Sequence, residues 1–371
     1  MKGLTVGLTI VNTNETASSQ IWSNGLNQNI VFLGMLLQRL QIVAEVILKA
    51  SPDSYQHPVG TAFGWKVMPI SDAVFHCDLV IECGARCTEE HQLEQLHKRG
   101  GKLVSYVAGN VTVMNFEAVV QNRSHGDSVS KFFFDAVWVT PQHWHTCESY
   151  LKATRSPSTH QVPHIWDPQC IRMSAMESGN NPYWREPEDK RWRLACFDPN
   201  LNVVKSFHIP LLAAEEAYRI EPSIIKQLLL FNAEHLKDSD HVKEIVNATE
   251  IGRAGKVNGE ARHRIAGVMG KNVDAVITHH WENELNYLYW DVIYLGWPLI
   301  HNSKAIKEAG YYFTDFDTKS GGTAILEAMH SHARTRKTRR TAELEQLWQF
   351  SIDNPLVQDR HRELIEMVMS K

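Results

Sequence analysis

The chain has 371 residues, 43% of them hydrophobic, and a formal net charge of −4 at pH 7. That length exceeds what one α/β domain usually needs and is comfortable for two. The slightly acidic balance argues against a general nucleic-acid binder, and no apolar stretch reaches the roughly 18 residues that a membrane span requires.

The first residues and the cysteines favour a cytoplasmic protein. Residues 1–10 contain one lysine and alternating threonines, which is unlike a secretory signal and typical of a first strand. The six cysteines are scattered, several of them within apolar runs, so we expect buried, reduced thiols.

The first half of the chain alternates strand-like and helix-like patterns. Strands are predicted at residues 4–11, 43–48, 79–83, 102–107 and 136–139, with helices at about 25–40, 89–98 and 144–153. A further strand is predicted at 162–168, and the polar, proline-broken residues 174–191 are predicted to form a linker.

The alternation then resumes. Strands are predicted at 192–197, 226–231, 274–278 and 299–300, helices at 210–219 and 284–295, and a long helical tail at 322–369. This order predicts an α/β fold with two halves, each a parallel sheet covered by helices on both faces.

The loop after the first strand lacks the usual nucleotide-binding fingerprint. Residues 12–19 do not read G-x-G-x-x-G, and the chain has no G-x-x-x-x-G-K-[ST] or G-x-S-x-G motif. These absences lower the odds of a dehydrogenase, a P-loop NTPase and a serine hydrolase. In place of the fingerprint, a long polar loop that includes Asn14 and Glu15 leads to Asn24 and Gly25 at the start of the first helix. A bound polar ligand or a plain N-cap at that helix start is equally compatible with the sequence.

Lys205 follows the first predicted strand of the second half. A lysine just past a strand end offers a compact positive charge to a diphosphate, and a solvated surface lysine is the alternative. The glycine-containing basic loop at residues 252–256 is better explained as a turn.

The segment from residue 282 to residue 298 is the richest in polar groups at a predicted strand–helix junction. Its candidate ligand-binding residues are Glu282, Asn283, Glu284, Leu285, Asn286, Tyr287 and Asp291. Helical spacing places Asn283, Asn286 or Tyr287, and Asp291 near one face. Carboxylates there can bind sugar hydroxyls and helix-start amides can bind phosphate, whereas an acidic first turn can also simply complement the helix dipole.

Histidine clusters at residues 143–145, 279–280 and 330–332 do not have the spacing of known metal sites, so no metal is predicted. The basic run at residues 334–340 is typical of a solvated helix face, although it could also bind an acidic acceptor.

The two-half layout, together with D-V-I-Y-L-G-W-P at residues 291–298, resembles the GT-B superfamily of glycosyltransferases. The similarity is closest to retaining bacterial members that read E-x7-E-A-M-x-x-G-x-P, and to an uncharacterised bacterial and phage branch. Asp291 stands at the second acidic position and Asn283 at the first. Members also carry an arginine and a lysine after the first strand of the second domain. Lys205 matches the lysine, and residues 198–200 offer no arginine.

The resemblance implies two facing Rossmann-like domains. Residues 1–168 would form the acceptor-side domain, completed by a C-terminal helix at 342–371 that crosses back, and residues 190–341 would bind the donor. It implies metal-independent transfer of a sugar from a UDP-, GDP- or ADP-sugar, with retention favoured, to a bacterial surface glycan, a protein or a small molecule.

The roles that the resemblance implies divide into three groups. Glu15, Lys205 and Glu284 would be catalytic. The donor would be bound by Lys205, Glu282, Asn283, Glu284, Leu285, Asn286, Tyr287 and Asp291. Asn14, Asn24 and Gly25 would line the acceptor side.

Two alternatives stay open at this stage. A phage-type glycosyltransferase acting on a DNA base is motivated by the basic run at 334–340. A non-catalytic nucleotide-sugar binding protein is motivated by Asn283 and the missing arginine. The eleven tryptophans and the long tail also leave room for a homo-oligomer.

Overall fold

The computed structural model describes residues 3–12, 21, 25–73, 76–87, 90–123 and 134–370. The chain divides into two compact units, one of residues 1–170 with 349–371 and one of residues 171–348. Each unit contains one parallel β-sheet.

The sheet of the first unit has seven described strands. They are β1 (Leu4–Val11), β2 (Val43–Ser51), β3 (Lys66–Pro69), β4 (Leu79–Glu82), β5 (Lys102–Val107), β6 (Ala136–Val139) and β7 (Thr159–Gln161), in the order β3-β2-β1-β4-β5-β6-β7. The order reverses between β1 and β4, which is the position where open α/β sheets bind ligands.

Helices flank this sheet. They are α1 (Gly25–Leu37), α2 (Pro58–Phe63), α3 (Ile70–Ala73), α4 (Glu90–Lys98), α5 (Val111–Val120) and α6 (Trp144–Thr154), followed by α7 (Gln169–Ser178) at the boundary between the units. β1 is central, and its Val6, Leu8 and Ile10 are fully buried, as in a strand covered on both faces.

The sheet of the second unit has six described strands. They are β8 (Trp192–Cys196), β9 (Ile225–Leu230), β10 (Val257–Gly259), β11 (Ala275–Ile277), β12 (Leu299–His301) and β13 (Tyr311–Tyr312), in the order β10-β9-β8-β11-β12-β13. Its helices are α8 (His208–Ile220), α9 (Asp240–Ala248), α10 (Glu250–Arg253), α11 (Ile265–Val268), α12 (Tyr287–Leu295) and α13 (Thr318–Gln349). The order reverses between β8 and β11, so the second ligand-binding position lies there.

The predicted α/β fold with two parallel sheets is confirmed, and three predictions about the segments after β7 and the C-terminal tail are wrong. Residues 162–168 do not form a strand: β7 precedes them, and Trp166 pairs with Ser351 in an isolated bridge. The linker prediction overlaps α7. The tail is two helices, because Asn354 caps a new helix, α14 (Pro355–Met369), with a proline in its first turn.

The rest of the linker segment is packed rather than extended. The backbone N–H of Trp184 donates to the carbonyl oxygen of Leu295 at 2.9 Å, and the guanidinium of Arg336 lies 4.8 Å from the ring of Trp184. This segment is therefore part of the second unit, tied to the end of α12.

In the described part of the chain, no helix is both long enough and apolar enough to cross a membrane.

Candidate functional site

Polar side chains gather at the carboxyl edge of the second sheet, beside the reversal between β8 and β11. Asp198 follows β8, the sequence Thr278-His279-His280 follows β11, and Asn302 follows β12. Each of these side chains is at most 8% exposed. This edge is where a parallel α/β sheet presents its ligand-binding loops.

The centre of the site is a buried hydrogen-bond network around His280. Its Nε2 lies 2.9 Å from Oδ1 of Asp198, and its Nδ1 lies 2.8 Å from the hydroxyl of Tyr289. The hydroxyl of Thr278 also donates to Oδ1 of Asp198, at 2.7 Å. Both ring nitrogens of His280 are thus engaged, which fits a neutral ring that donates to Asp198 and accepts from Tyr289.

The charges in this network follow from burial. Burial lowers the pKa of His280, although Asp198 opposes the shift. Burial alone would raise the pKa of Asp198, but the contacts with His280 and Thr278 keep it below its ordinary value. Asp198 is therefore a carboxylate beside a neutral imidazole, a pair that fixes geometry rather than one that exchanges protons with solvent.

The same network ties together the loops that follow three strands. Lys205 forms an antiparallel bridge with His280, and the N–H of Trp281 donates to the carbonyl oxygen of Val204 at 2.9 Å. The side chain of Asn302 accepts from the N–H of His280 and donates to its carbonyl oxygen, at 2.9 and 2.8 Å. The backbone around Lys205 is consequently held in a defined position.

Lys205 itself is a half-buried cation at this edge. Burial lowers the pKa of its amine to about 8, and the nearby carboxylate of Asp198 partly offsets that effect. The amine is still mostly protonated at neutral pH, and it would become more so beside a second negative charge.

Two further polar groups at this edge are buried and have no hydrogen-bond partner among the residues that the structure describes. They are Nε2 of His279 and Nδ2 of Asn283, on residues that are 4% and 3% exposed. Burial lowers the pKa of His279 to about 4, and the ring of Phe316 lies 4.5 Å from its own. An unpaired buried polar group costs about 1–3 kcal/mol, so such groups call for an explanation, and a ligand is one.

The prediction that the helix begins near Glu284 is wrong. α12 begins at Tyr287, and its N-cap is Asn286, which is extended and accepts from the N–H of Leu288 at 3.0 Å. Glu282 has a positive φ of 51°, a conformation that no helix contains. Asn283 therefore does not share a helix face with Asp291.

The other predicted site residues differ in how deeply they are buried. Glu282, Glu284 and Asn286 are half-buried in the loop before α12, whereas Leu285, Tyr287 and Asp291 are buried. Gly25 is exposed as the first residue of α1. Asn14, Glu15 and Asn24 lie outside the described residues.

The sequence patterns missed the residues at the centre of the site. The sequence presents His279 and His280 only as a histidine pair without metal-site spacing, and Asp198 only as part of the stretch in which the resemblance expects an arginine. The residues that the structure describes contain no group of three or more histidine, cysteine or acidic side chains able to hold a metal ion. The available signal was position: each of these residues directly follows a buried strand.

The basic run at 334–340 belongs to α13 and is largely used within the second unit. Arg339 donates to the carbonyl oxygen of Gly310 at 2.6 Å and to Glu327 at 2.9 Å. Arg340 donates to the carbonyl oxygens of Ile293 and Tyr294, at the end of α12. These arginines cap backbone groups, which is a structural role.

Comparison with known families gives one match. Residues 6–365 match the family described as Protein of unknown function (DUF2827). The chain belongs to this family. A sequence comparison with curated proteins finds no match for this DUF2827 protein.

Solved structures similar to this DUF2827 protein include Anabaena Alr3699/HepE in complex with UDP-glucose, at a TM-score of 0.60 and 11% identity, covering 98% of this chain and 100% of that one. α,α-Trehalose 6-phosphate synthase from Burkholderia multivorans has a TM-score of 0.59 and 11% identity, covering 100% and 98%. A glycosyltransferase from Rickettsia africae ESF-5 has a TM-score of 0.57 and 10% identity, covering 100% and 99%. The fold is therefore the GT-B glycosyltransferase fold expected from the sequence.

Proposed function

We propose that this DUF2827 protein is a glycosyltransferase that binds a nucleotide-diphosphate sugar at the carboxyl edge of its second sheet. The observation that carries the proposal is Lys205, a half-buried cation whose backbone forms an antiparallel β-bridge with His280 at the reversal of strand order. The similarity to structures such as Alr3699/HepE, which was solved with UDP-glucose, supports it.

Sugar transfer from such a donor requires the site to stabilise the nucleoside diphosphate leaving group. The bond between the anomeric carbon and the diphosphate oxygen breaks, and negative charge grows on that oxygen. The ammonium of Lys205 would balance this charge, and the first N–H groups of α12 would add the partial positive charge of a helix start. Because the Asp198–His280 network holds the backbone around Lys205, the loop that carries the cation need not be rearranged during the reaction.

Donor recognition would fall to the polar groups around Lys205. Nε2 of His279 and Nδ2 of Asn283 would gain partners from the donor. We assign the sugar hydroxyls to Glu282 and Glu284, which are half-buried in the loop before α12, rather than to Asp291, which lies inside α12. Glu15 and Glu284 remain our candidates for acid–base roles. The match of residues 291–298 to retaining members favours retention, and we propose that Lys205 supplies the charge that a metal supplies elsewhere.

Donor binding is tested by thermal unfolding of the full chain with UDP-, GDP- and ADP-glucose. A donor at 100 times its Kd should stabilise the folded protein by about 2.7 kcal/mol and so raise its Tm. Lys205→Gln should abolish the shift, and Lys237→Gln, at an exposed lysine of the same unit, should preserve it. The proposal fails if none of the three donors shifts the Tm of the wild-type protein.

Turnover distinguishes an enzyme from a non-catalytic binding protein. The non-catalytic binding protein is favoured by Asn283 at the first acidic position of the motif and by the absence of an arginine from residues 198–200, where the GT-B members that the chain resembles carry one. Release of sugar or UDP from the donor by wild-type protein, cut at least tenfold (about 1.4 kcal/mol of barrier) in Lys205→Gln, would support transfer. Donor binding without any release would support the binding protein.

A further inference from the structure

A cavity of about 220 Å³ is lined by residues of the first unit, whereas the site described above belongs to the second unit. It sits at the carboxyl ends of β4 and β5 and is lined by residues that follow those strands, by the start of α1, by α5 and by Arg155. Its volume is below the roughly 300–1,000 Å³ of pockets for drug-sized ligands, so it suits one small group.

Two guanidinium groups distinguish this cavity from an ordinary packing defect. Arg155 follows α6, and its Nη1 donates to the hydroxyl of the buried Ser105 at 2.8 Å, which brings the cation to the end of β5. Arg86, in the loop after β4, is the second lining cation. Both arginines are half-buried, so their charges are less screened than charges on an open surface.

Glu82 is the acidic residue among those that line the cavity, and it is hydrogen-bonded to the backbone. One carboxylate oxygen of Glu82 accepts from the backbone N–H of Cys87 at 2.9 Å. With Arg86, Arg155 and Glu82 as the charged lining residues, the formal charge of the wall is +1. Guanidinium forks suit the planar carboxylate and the phosphate group, and Arg is the residue that usually recognises them.

The remaining wall combines apolar side chains with exposed backbone. Leu26, Val111 and Met114 line it together with Tyr106. Gly109 also lines it, and a Cβ at that position would meet no atom within 4 Å. A small anionic group with an apolar or sugar-like body therefore fits the cavity in charge and size.

We propose that this cavity binds an acidic group, a carboxylate or a phosphate, of the sugar acceptor. Calling the ligand an acceptor rests on the proposed glycosyltransferase function, whereas the anion site itself does not. The acceptor is thereby an acidic sugar or a phosphorylated small molecule rather than a neutral one.

The test is a calorimetric titration of the full chain with D-glucuronate, with glucose 6-phosphate and with uncharged glucose. One of the two acidic sugars should bind, and which one binds distinguishes carboxylate from phosphate. Arg155→Gln and Arg86→Gln should each weaken that binding at least tenfold, with Arg155→Lys intermediate. Arg99→Gln, at an exposed arginine of the same unit, should bind as the wild type does. If Arg155→Gln does not fold, Arg86→Gln decides alone.

Binding of UDP separates this proposal from the proposed function. UDP should bind the two arginine variants as it binds the wild type, and Lys205→Gln should lose UDP while keeping the acidic sugar. The cavity proposal is overturned if neither acidic sugar binds, if glucose binds equally well, or if both glutamine variants retain wild-type affinity. If the wild-type protein does not bind UDP, that result would instead count against the proposed donor site.

Discussion

The amine of Lys205 should make nucleotide binding depend on pH in the neutral to alkaline range. Burial lowers its pKa to about 8. The ratio of ammonium to neutral amine is then about 10 to 1 at pH 7 and about 1 to 10 at pH 9. Because we assign the diphosphate contact to the ammonium, affinity for UDP should fall as pH rises through 8, by about tenfold between pH 7 and pH 9, or roughly 1.4 kcal/mol.

The assay is calorimetric titration of UDP at constant ionic strength between pH 7 and pH 9. Lys205→Arg keeps its charge throughout and should give a shallow profile, whereas Lys205→Gln should bind weakly at both ends. Lys237→Gln should follow the wild type. A fall in affinity that Lys205→Arg shares would come from the nucleotide itself, and a wild-type profile that is flat would refute the assignment of the diphosphate to Lys205.

Three further predictions concern stability. Asp198→Asn removes the carboxylate that His280 and Thr278 require and should lower the free energy of unfolding in urea by about 1–3 kcal/mol, whereas Asp238→Asn, at an exposed site, should change it little. Asn286→Ala deletes the N-cap of α12 and should cost about 0.5–2 kcal/mol in the same measurement, with an unchanged denaturation slope. Acid should destabilise the protein between pH 6.5 and pH 4, because four buried histidines have a pKa of about 4 in the folded state and take up protons in this range only when the chain unfolds. Each histidine should lower the free energy of unfolding by up to roughly 3 kcal/mol. Urea midpoints that stay constant from pH 7 to pH 4.5 would contradict this. The four are His279, His301, His332 and His361.

Three strands were predictable to the residue. β1, β5 and β6 have the predicted bounds, and each is rich in valine and other apolar residues. β7, β10 and β13 are only two or three residues long and gain their hydrogen bonds from one neighbouring strand. A run that short has no periodicity to detect, and its pairing depends on tertiary context.

The start of α12, the helix after β11, could have been predicted from its N-cap residue, but the acidic residues before it favour an earlier start. Glu282 and Glu284 favour an acidic first turn and therefore predict a helix that includes residue 284. Asn286 is among the preferred N-cap residues and directly precedes the apolar run Tyr287–Leu295, which is the stronger signal for a helix start. The side chain that satisfies the first helical N–H groups marks the boundary, and acidic residues before it belong to the loop.

The centre of the site could not be read from spacing in the sequence. Asp198 and His280 are 82 residues apart, and the contact between them exists only because β8 and β11 are neighbours in the sheet. Lys205 could be selected because its place after a strand end carries a chemical meaning by itself. The residues that hold Lys205 in position become visible only once the strand order is known.

Asp198 also explains the departure from the glycosyltransferase pattern at the loop after β8. The resemblance places an arginine in this stretch, and the chain has instead a carboxylate that is 1% exposed and bonded to His280 and Thr278. Lys205 is the only basic residue in the sequence of that loop, residues 197–207. Where the resemblance expects an arginine, this chain therefore has Asp198, which binds His280 and so helps to hold the backbone around Lys205. It follows that Lys205→Gln and Asp198→Asn should differ in kind: the first should remove nucleotide binding from a stable protein, and the second should lower stability and weaken binding together.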